Sequence, residues 1–190
     1  MNKIPGYDEA QAFEGGSSAL PAGKYICEIK GAKVTRTTNG KEQLTLQLDI
    51  AEGDYKGYYS DRYAQNLEKN GNKAKWANGG LFRQGWEGKS LPFFKGMITC
   101  IEKCNDGYKW DWDEKKLKGK RIGVLFGREQ FIASDGQKKW ATKAVAVRSF
   151  EGLEKSEIPK DKLLDGSAAD TWNSAGFDDM EEASEDDLPF

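Results

Sequence analysis

The chain has 190 residues, with three cysteines, no histidine and 29 Lys/Arg against 31 Asp/Glu. The lack of histidine excludes Ser-His triads, Cys-His dyads and histidine metal sites. The odd number of cysteines argues against a disulfide framework. No apolar run predicts a membrane span, and no apolar stretch follows the charged N-terminus as in a signal peptide. We therefore expect a cytoplasmic protein that is not an enzyme, has no cofactor and does not bind membranes.

The near-neutral charge hides two parts of opposite sign. Residues 1–150 hold 26 Lys/Arg and 18 Asp/Glu, whereas residues 151–190 hold 3 and 13. A basic body joined to an acidic segment indicates that the body binds a polyanion. The sequence predicts a flexible arm at 1–20, a folded domain at 21–150, a disordered acidic linker at 151–183 and a docking tip at 184–190.

The first predicted elements form a β-hairpin. Lys24–Val34 alternates apolar and polar residues, and Asn39-Gly40 is a strong signal for a hairpin turn. The second strand alternates most clearly, and its apolar residues are Leu44, Leu46, Leu48 and Ile50. Residues 54–63 are predicted as a third strand, and residues 64–90 as a long loop with one short helix.

A helix and two strands complete the predicted domain. Ser90 is expected to cap a helix from Leu91 to about Asn105, whose buried face carries Phe94, Met97, Ile98 and Ile101. Lys120–Gly127 and Trp140–Phe150 are predicted strands joined at Ser134-Asp135-Gly136. This order fits the five-stranded OB-fold, a Greek-key barrel with a helix between its third and fourth strands. A β-sandwich remains the alternative, although sandwiches usually lack that helix.

Aromatic residues interleave with cations along the chain, as in proteins that stack bases and track phosphates of a single strand. The candidate DNA-binding residues are Arg36 and Lys41 on the first loop, Tyr55, Lys56, Tyr58, Tyr59, Arg62 and Tyr63 in the third-strand region, Trp76, Arg83 and Trp86 in the next segment, and Arg128, Lys138, Lys139 and Trp140 around the last hairpin. Trp110 and Trp112 adjoin three carboxylates, a poor setting for phosphates, and are interpreted as structural.

Metal and nucleophile chemistry is weakly supported. Cys27, Cys100 and Cys104 are interpreted as buried structural thiols, because three thiols without histidine leave a zinc site one ligand short. Asp111, Asp113 and Glu114 lie close enough in sequence to hold Mg²⁺, but no second carboxylate cluster accompanies them in the body. A binding protein is therefore favoured over an enzyme.

The chain ends in Asp186, Asp187, Leu188, Pro189 and Phe190. A terminal carboxylate beside an apolar ring suits capture in a pocket with a basic rim. The tip resembles the acidic C-terminus of bacterial and phage single-stranded-DNA-binding proteins, and the stretches Leu20–Tyr25 and Leu117–Arg121 are similar to small phage members. The resemblance implies sequence-independent DNA binding in a bacterial host cytoplasm. It also implies recruitment of replication, recombination and repair proteins through the tip.

Two other functions stay open at this point. The same aromatic and basic residues would suit an RNA-binding OB module. Alternatively, the chain is a protein-interaction adaptor whose body never meets nucleic acid, and the tail is then an acidic solubility segment or docking peptide. A homo-oligomer is also left open.

Overall fold

A computed structural model describes residues 19–164. The predicted arm up to residue 18, most of the acidic linker, and the tip from Ser184 to Phe190 lie outside the described residues. The strands are β1 (Gly23–Arg36), β2 (Glu42–Ile50), β3 (Leu81–Gly85), β4 (Arg121–Ile132) and β5 (Lys138–Arg148). The helices are α1 (Tyr58–Asn70), α2 (Leu91–Cys104) and α3 (Phe150–Lys155), and four short 3₁₀ turns link the elements.

The five strands form one antiparallel sheet in the order β3-β2-β1-β4-β5. The mainly β fold class is therefore confirmed, but the sheet is open, with β3 and β5 as its edges. The two edges approach each other through the 3₁₀ turn Asn78–Gly80, which contacts β5. A methyl group on Gly79 would lie 2.2 Å from the carbonyl oxygen of Thr142.

The predicted first hairpin is confirmed. Glu42 pairs with Arg36 across the turn, where Gly40 takes a φ of 77° that suits glycine. The four apolar residues of β2 are at most 2% exposed. Polar residues on its opposite face, Gln43, Thr45 and Asp49, are buried as well. Both faces of β2 are therefore covered, whereas alternation alone predicts one buried face.

The predicted third strand at 54–63 is wrong, because residues 58–70 form α1. Asp49 on β2 binds the helix start: its carboxylate accepts from the Tyr59 amide at 2.9 Å and from the Ser60 hydroxyl. These bonds satisfy donors that a helix N-terminus leaves unpaired. The actual third strand is β3, which lies in the segment predicted as a loop and pairs with Gln43–Gln47.

The predicted second helix is confirmed within one residue at its end. Phe94, Met97, Ile98 and Ile101 of α2 face the core and are at most 7% exposed. Ser90 occupies the N-cap position, but its side chain makes no capping bond.

None of the helices between residues 19 and 164 has the length and apolar character to cross a bilayer.

Regular structure continues past residue 150, where the sequence pattern predicts only a tether. Ser149 caps α3 by accepting from the Gly152 amide at 3.2 Å. Further on, Lys162 forms a parallel bridge with the part of β4 that extends beyond β1. Its amide donates to the Arg128 carbonyl at 2.8 Å, and its carbonyl accepts from the Gln130 amide at 2.9 Å. The described chain therefore ends beside the outer part of β4.

Two glycines allow a matched test of the contact between the sheet edges. Gly79→Ala is expected to lower the free energy of unfolding by about 1–3 kcal/mol, because the methyl group would press on backbone. Gly96→Ala in α2 has no neighbour within 4 Å and is expected to raise it by about 0.5–1 kcal/mol. Urea unfolding measures both, and equal changes would contradict the close contact at Gly79.

Candidate nucleic-acid interface

The β4–β5 hairpin projects beyond β1, because β1 begins at Gly23, opposite Phe126. Arg128 pairs with Thr142 and Gln130 with Trp140, so these four side chains share one face of the hairpin. It is the face that carries Phe126 into the core. The Arg128 guanidinium lies 5.1 Å from the centroid of the Trp140 ring, which is 38% exposed. The pair combines a flat surface with a cation.

A second pair of this kind lies on α1. The Arg62 guanidinium is 5.2 Å from the Tyr58 ring centroid and donates to the Tyr58 hydroxyl. The same hydroxyl accepts from the Leu20 amide at 3.1 Å, and the Leu20 carbonyl accepts from the Thr142 hydroxyl. Leu20 thereby joins the start of α1 to the hairpin face.

Five residues after Tyr58 on α1, the Tyr63 ring lies 5.4 Å from the Trp76 ring. Trp76 is held near β5 because it precedes the Asn78–Gly80 turn that contacts Thr142. Six predicted residues are therefore brought into one region, which we call the aromatic face. Its members are Tyr58, Arg62, Tyr63, Trp76, Arg128 and Trp140.

Other predicted rings pack inside the protein. Tyr59 is 2% exposed, stacks on Phe126 at 5.9 Å and has a pKa raised by burial, so it offers no face to a base. Tyr55 packs edge-on against Tyr58 at 6.3 Å. Trp86 packs edge-on against Phe94 at 5.5 Å and is half-buried. Tyr59 is therefore excluded from the candidate DNA-binding residues.

The cations predicted on the first loop are not part of the aromatic face. Arg36 and Lys41 flank the β1–β2 turn, at the other end of β1 from Gly23. Arg36 forms an exposed ion pair with Glu42 at 3.3 Å. Because the aromatic face lies near Gly23, the predicted site is divided between two ends of the sheet.

Lys56 lies apart from these two cations and is exposed in the turn before α1.

Arg83 lies on the outer face of the sheet. It is opposite Thr45, which is opposite Lys33 in turn. Lys33 was not among the predicted residues, because only the register of β1 and β2 places it beside Thr45. This face of the sheet carries the buried Thr45, the half-buried Arg83 and the exposed Lys33, and it is opposite to the face that carries Trp140.

The tip of the β4–β5 hairpin is exposed and mixed in character. Lys139 pairs with Asp135 at 2.7 Å, and Lys138 lies opposite Ile132. Phe131 and Ile132 are 40% and 60% exposed, and neither was among the predicted residues. By alternation Phe131 points to the face opposite Trp140.

Arg128 also has a carboxylate partner. Its Nε donates to Asp161 Oδ1 at 2.9 Å, and a second bond joins its Nη2 to the other carboxylate oxygen. The guanidinium holds the pKa of Asp161 below its usual range. Any anion that binds Arg128 therefore competes with Asp161.

The two tryptophans interpreted as structural differ from each other. Trp110 is half-buried and packs against the core, whereas Trp112 is 79% exposed. The structural interpretation is therefore wrong for Trp112.

Cys27 is buried, as predicted, and burial raises the pKa of its thiol, while Cys100 and Cys104 are half-buried. In the described part of the chain, no three cysteine or carboxylate side chains gather in an arrangement that could hold a metal ion.

The described residues are strongly basic. Residues 19–164 hold 28 Lys/Arg and 19 Asp/Glu, a balance of +9. Residues 165–190 hold nine Asp/Glu and no Lys/Arg. The charge division predicted from the sequence therefore sharpens at the point where the described fold ends.

Comparison with known proteins gives one family match. A family model described as "Protein of unknown function (DUF669)" matches residues 6–80. That stretch includes β1, β2 and α1 but not the β4–β5 hairpin. No curated protein matches the chain.

Proposed function

We propose that the protein binds single-stranded DNA without sequence preference through the aromatic face, and recruits replication, recombination and repair proteins through its acidic tip. One observation carries the proposal: two aromatic rings, Trp140 and Tyr58, each lie beside an arginine, and Leu20 joins them into one region. Such a surface suits an unpaired strand, whose bases can stack while its phosphates meet cations.

The magnitudes are sufficient. Stacking is worth about 1–3 kcal/mol per base. Three stacked bases, on Trp140, on Tyr58 and on the Tyr63–Trp76 pair, would contribute about 3–9 kcal/mol. A micromolar complex requires about 8 kcal/mol, and phosphate contacts from the two arginines add to the stacking. Because every base has a π-face, this chemistry is indifferent to sequence.

The topology supports an OB-type body. The central strand β1 pairs with β2, its neighbour in sequence, and with β4, which is distant in sequence; this is a Greek-key feature. The sheet edges β3 and β5 approach each other at Gly79 and Thr142. A partly open five-stranded barrel, the form that OB-folds take, agrees with both observations.

The recruitment role rests on charge and on the tip. The nine acidic residues after Leu164 repel DNA phosphates, which leaves this segment suited to basic protein pockets. Removing residues 184–190 is expected to abolish co-purification of host replication or recombination proteins while DNA affinity persists. Phe190→Ala serves as the single-residue counterpart. Co-purification that is unchanged in both variants would contradict the recruiting role.

The main test is fluorescence anisotropy of a labelled 30-nucleotide oligo-dT at two salt concentrations. We expect tight binding that weakens with salt and that a duplex of equal length does not displace. No binding at micromolar protein and low salt would contradict the proposal and favour the adaptor. Equal or tighter binding to oligo-rU would instead favour an RNA-binding module, since only RNA offers the 2′-hydroxyl.

Asp161→Asn is expected to tighten DNA binding by about 1.4- to 5-fold. An exposed ion pair is worth about 0.2–1 kcal/mol, and this variant frees Arg128 from that competition. Glu154→Gln on α3 makes the same change in net charge without touching Arg128 and is the control. The anisotropy titration measures both, and equal gains would reduce the Asp161 effect to net charge alone.

A further inference from the structure

The segment between α2 and β4, residues 105–120, presents Trp112 to solvent; we call it the Trp112 loop. Trp112 is 79% exposed and takes a φ of 68°, the only positive φ of a non-glycine residue within 19–164. A left-handed backbone is costly for a bulky side chain, and an exposed indole gains little from burial. Outliers of this kind cluster at functional sites.

The loop is held in place by its neighbours. The Glu102 carboxylate accepts from the Trp110 amide at 2.9 Å and from Lys109 Nζ at 3.3 Å. The first of these bonds lowers the pKa of Glu102 most. Lys116 bonds to Asp111 and lowers the pKa of that carboxyl. Glu102 and Lys116 therefore hold the three residues before Trp112 in place by hydrogen bonds.

The Trp112 ring contacts the half-buried ring of Trp110. The Trp110 ring lies 6.1 Å from the Trp112 ring at an interplanar angle of 58°, and Trp110 also packs against the core. Directly after Trp112, the Asp113 side chain caps a 3₁₀ turn by accepting from the Lys115 amide at 3.1 Å. The indole is therefore a preorganised platform, which loses little freedom when a ligand stacks on it.

The surroundings of Trp112 are basic. Residues 108–121 hold six Lys/Arg and three Asp/Glu, and two of the three carboxylates, Asp111 and Asp113, face Lys116. Lys115 and Lys118 are exposed. An exposed ring among excess cations suits a ligand that has both a flat aromatic surface and negative charge, as a nucleotide has.

The loop is far from the hairpin. The Gly119 amide donates to the Ile29 carbonyl at 2.7 Å, which fixes the loop at the Arg121 end of β4. Gln130, the partner of Trp140, is nine residues further along this strand. At about 3.3 Å per residue, the two positions are about 30 Å apart along β4.

We propose that Trp112, with Lys115 and Lys118, is a second stacking platform, so that one single strand contacts both the aromatic face and the Trp112 loop. The proposal rests on the DNA-binding function proposed above. It assigns the strand two contact points at opposite ends of β4. Strands too short to reach both points use the aromatic face alone.

The variants follow from the backbone. Trp112→Gly removes the ring and suits the positive φ, so the fold is retained. Trp112→Tyr keeps a ring on which a base can stack. Leu91→Ala removes another exposed apolar side chain, 54% exposed at the start of α2, and is the control. Thermal unfolding confirms that each variant is folded before titration.

Strand length separates the outcomes. A 4-nucleotide oligo-dT is too short, even with a fully extended backbone, to join positions about 30 Å apart, whereas a 30-nucleotide strand reaches both points. Trp112→Gly is expected to weaken binding of the long strand by about 5- to 150-fold and of the short strand by less than twofold. Trp112→Tyr should retain most of the affinity, and Leu91→Ala all of it.

Two results would overturn the inference while the proposed function stands. The first is unchanged binding of the long strand by Trp112→Gly, with Trp140→Ala still weakened; the loop would then be a surface for a protein partner. The second is equal weakening at both lengths, which would place Trp112 in the same subsite as Trp140. Absence of binding by the unmodified protein would instead remove the proposed function.

The lysines give an independent measurement. The double variant Lys115→Gln, Lys118→Gln is expected to reduce the slope of log affinity against log salt by about 1.4 for the long strand, because two phosphate contacts are lost. The slope for the 4-nucleotide strand should not change. An unchanged slope for the long strand would contradict a strand path over this loop.

Discussion

Trp140→Ala is expected to weaken binding of a 30-nucleotide oligo-dT by about 5- to 150-fold, the equivalent of one stacked base. Trp140 is the most exposed ring of the aromatic face, and Arg128 lies over it at 5.1 Å. Removing the indole deprives the strand of a stacking surface and leaves Arg128 without its support. Anisotropy titration measures the loss, and Trp140→Phe should recover much of it because a ring is restored.

The hairpin provides its own control. Phe131 is 40% exposed on the opposite face of the same two strands, so Phe131→Ala removes a ring of similar exposure from the same element. Its affinity is expected to stay within twofold of that of the unmodified protein. If both alanine variants lose affinity equally, the hairpin tip as a whole binds the strand, and the division into two faces is contradicted.

The elements that the sequence predicted well are those set by local pattern. The alternation of Leu44, Leu46, Leu48 and Ile50 and the Asn39-Gly40 turn fix the first hairpin without help from distant residues. The apolar stripe of α2 likewise follows from spacing alone. Patterns of this kind need no knowledge of the rest of the fold.

The elements that the sequence failed to predict depend on tertiary contacts. Residues 58–63 contain three tyrosines, which favour strands, yet they are helical because Asp49 binds the start of α1 from the neighbouring strand. β3 has only five residues and is defined by its pairing with Gln43–Gln47. Neither contact can be inferred from the local sequence.

The candidate site was predictable as a set of residue types but not as a surface. Tyr58 and Tyr59 are adjacent, and only the helical rotation of about 100° per residue sends Tyr59 into the core and leaves Tyr58 beside Arg62. Trp112 was predicted to be structural because of its acidic neighbours, but its side chain is 79% exposed. In the structure, Lys116 faces both flanking carboxylates.

Asp49→Ala is expected to lower the free energy of unfolding by about 2–4 kcal/mol, the largest loss from any single substitution considered. Asp49 is 3% exposed, and its carboxylate accepts from the amides of Ile50 and Tyr59 and from the Ser60 hydroxyl. Alanine would leave these donors unsatisfied at a buried site. The N-cap position, Gly57, has no side chain to replace the lost acceptor.

Urea unfolding measures the effect, with two controls that separate its causes. Asp49→Asn retains one acceptor oxygen and should lose about half as much stability as Asp49→Ala. Glu42→Ala, at the exposed start of the same strand, removes only a surface ion pair and should lose less than about 0.5 kcal/mol. Stability losses that are equal for Asp49→Ala and Glu42→Ala would contradict the capping role.

The same substitution connects the fold to the site, because α1 carries Tyr58 and Arg62. Hydrogen exchange at low urea should show the first turn of α1 opening more often in Asp49→Ala than in the unmodified protein, while β1 and β2 stay protected. DNA affinity should fall in parallel, since an unwound first turn no longer holds Tyr58 against Leu20. Intact affinity with a frayed α1 would place the DNA contacts on the hairpin alone and remove α1 from the interface.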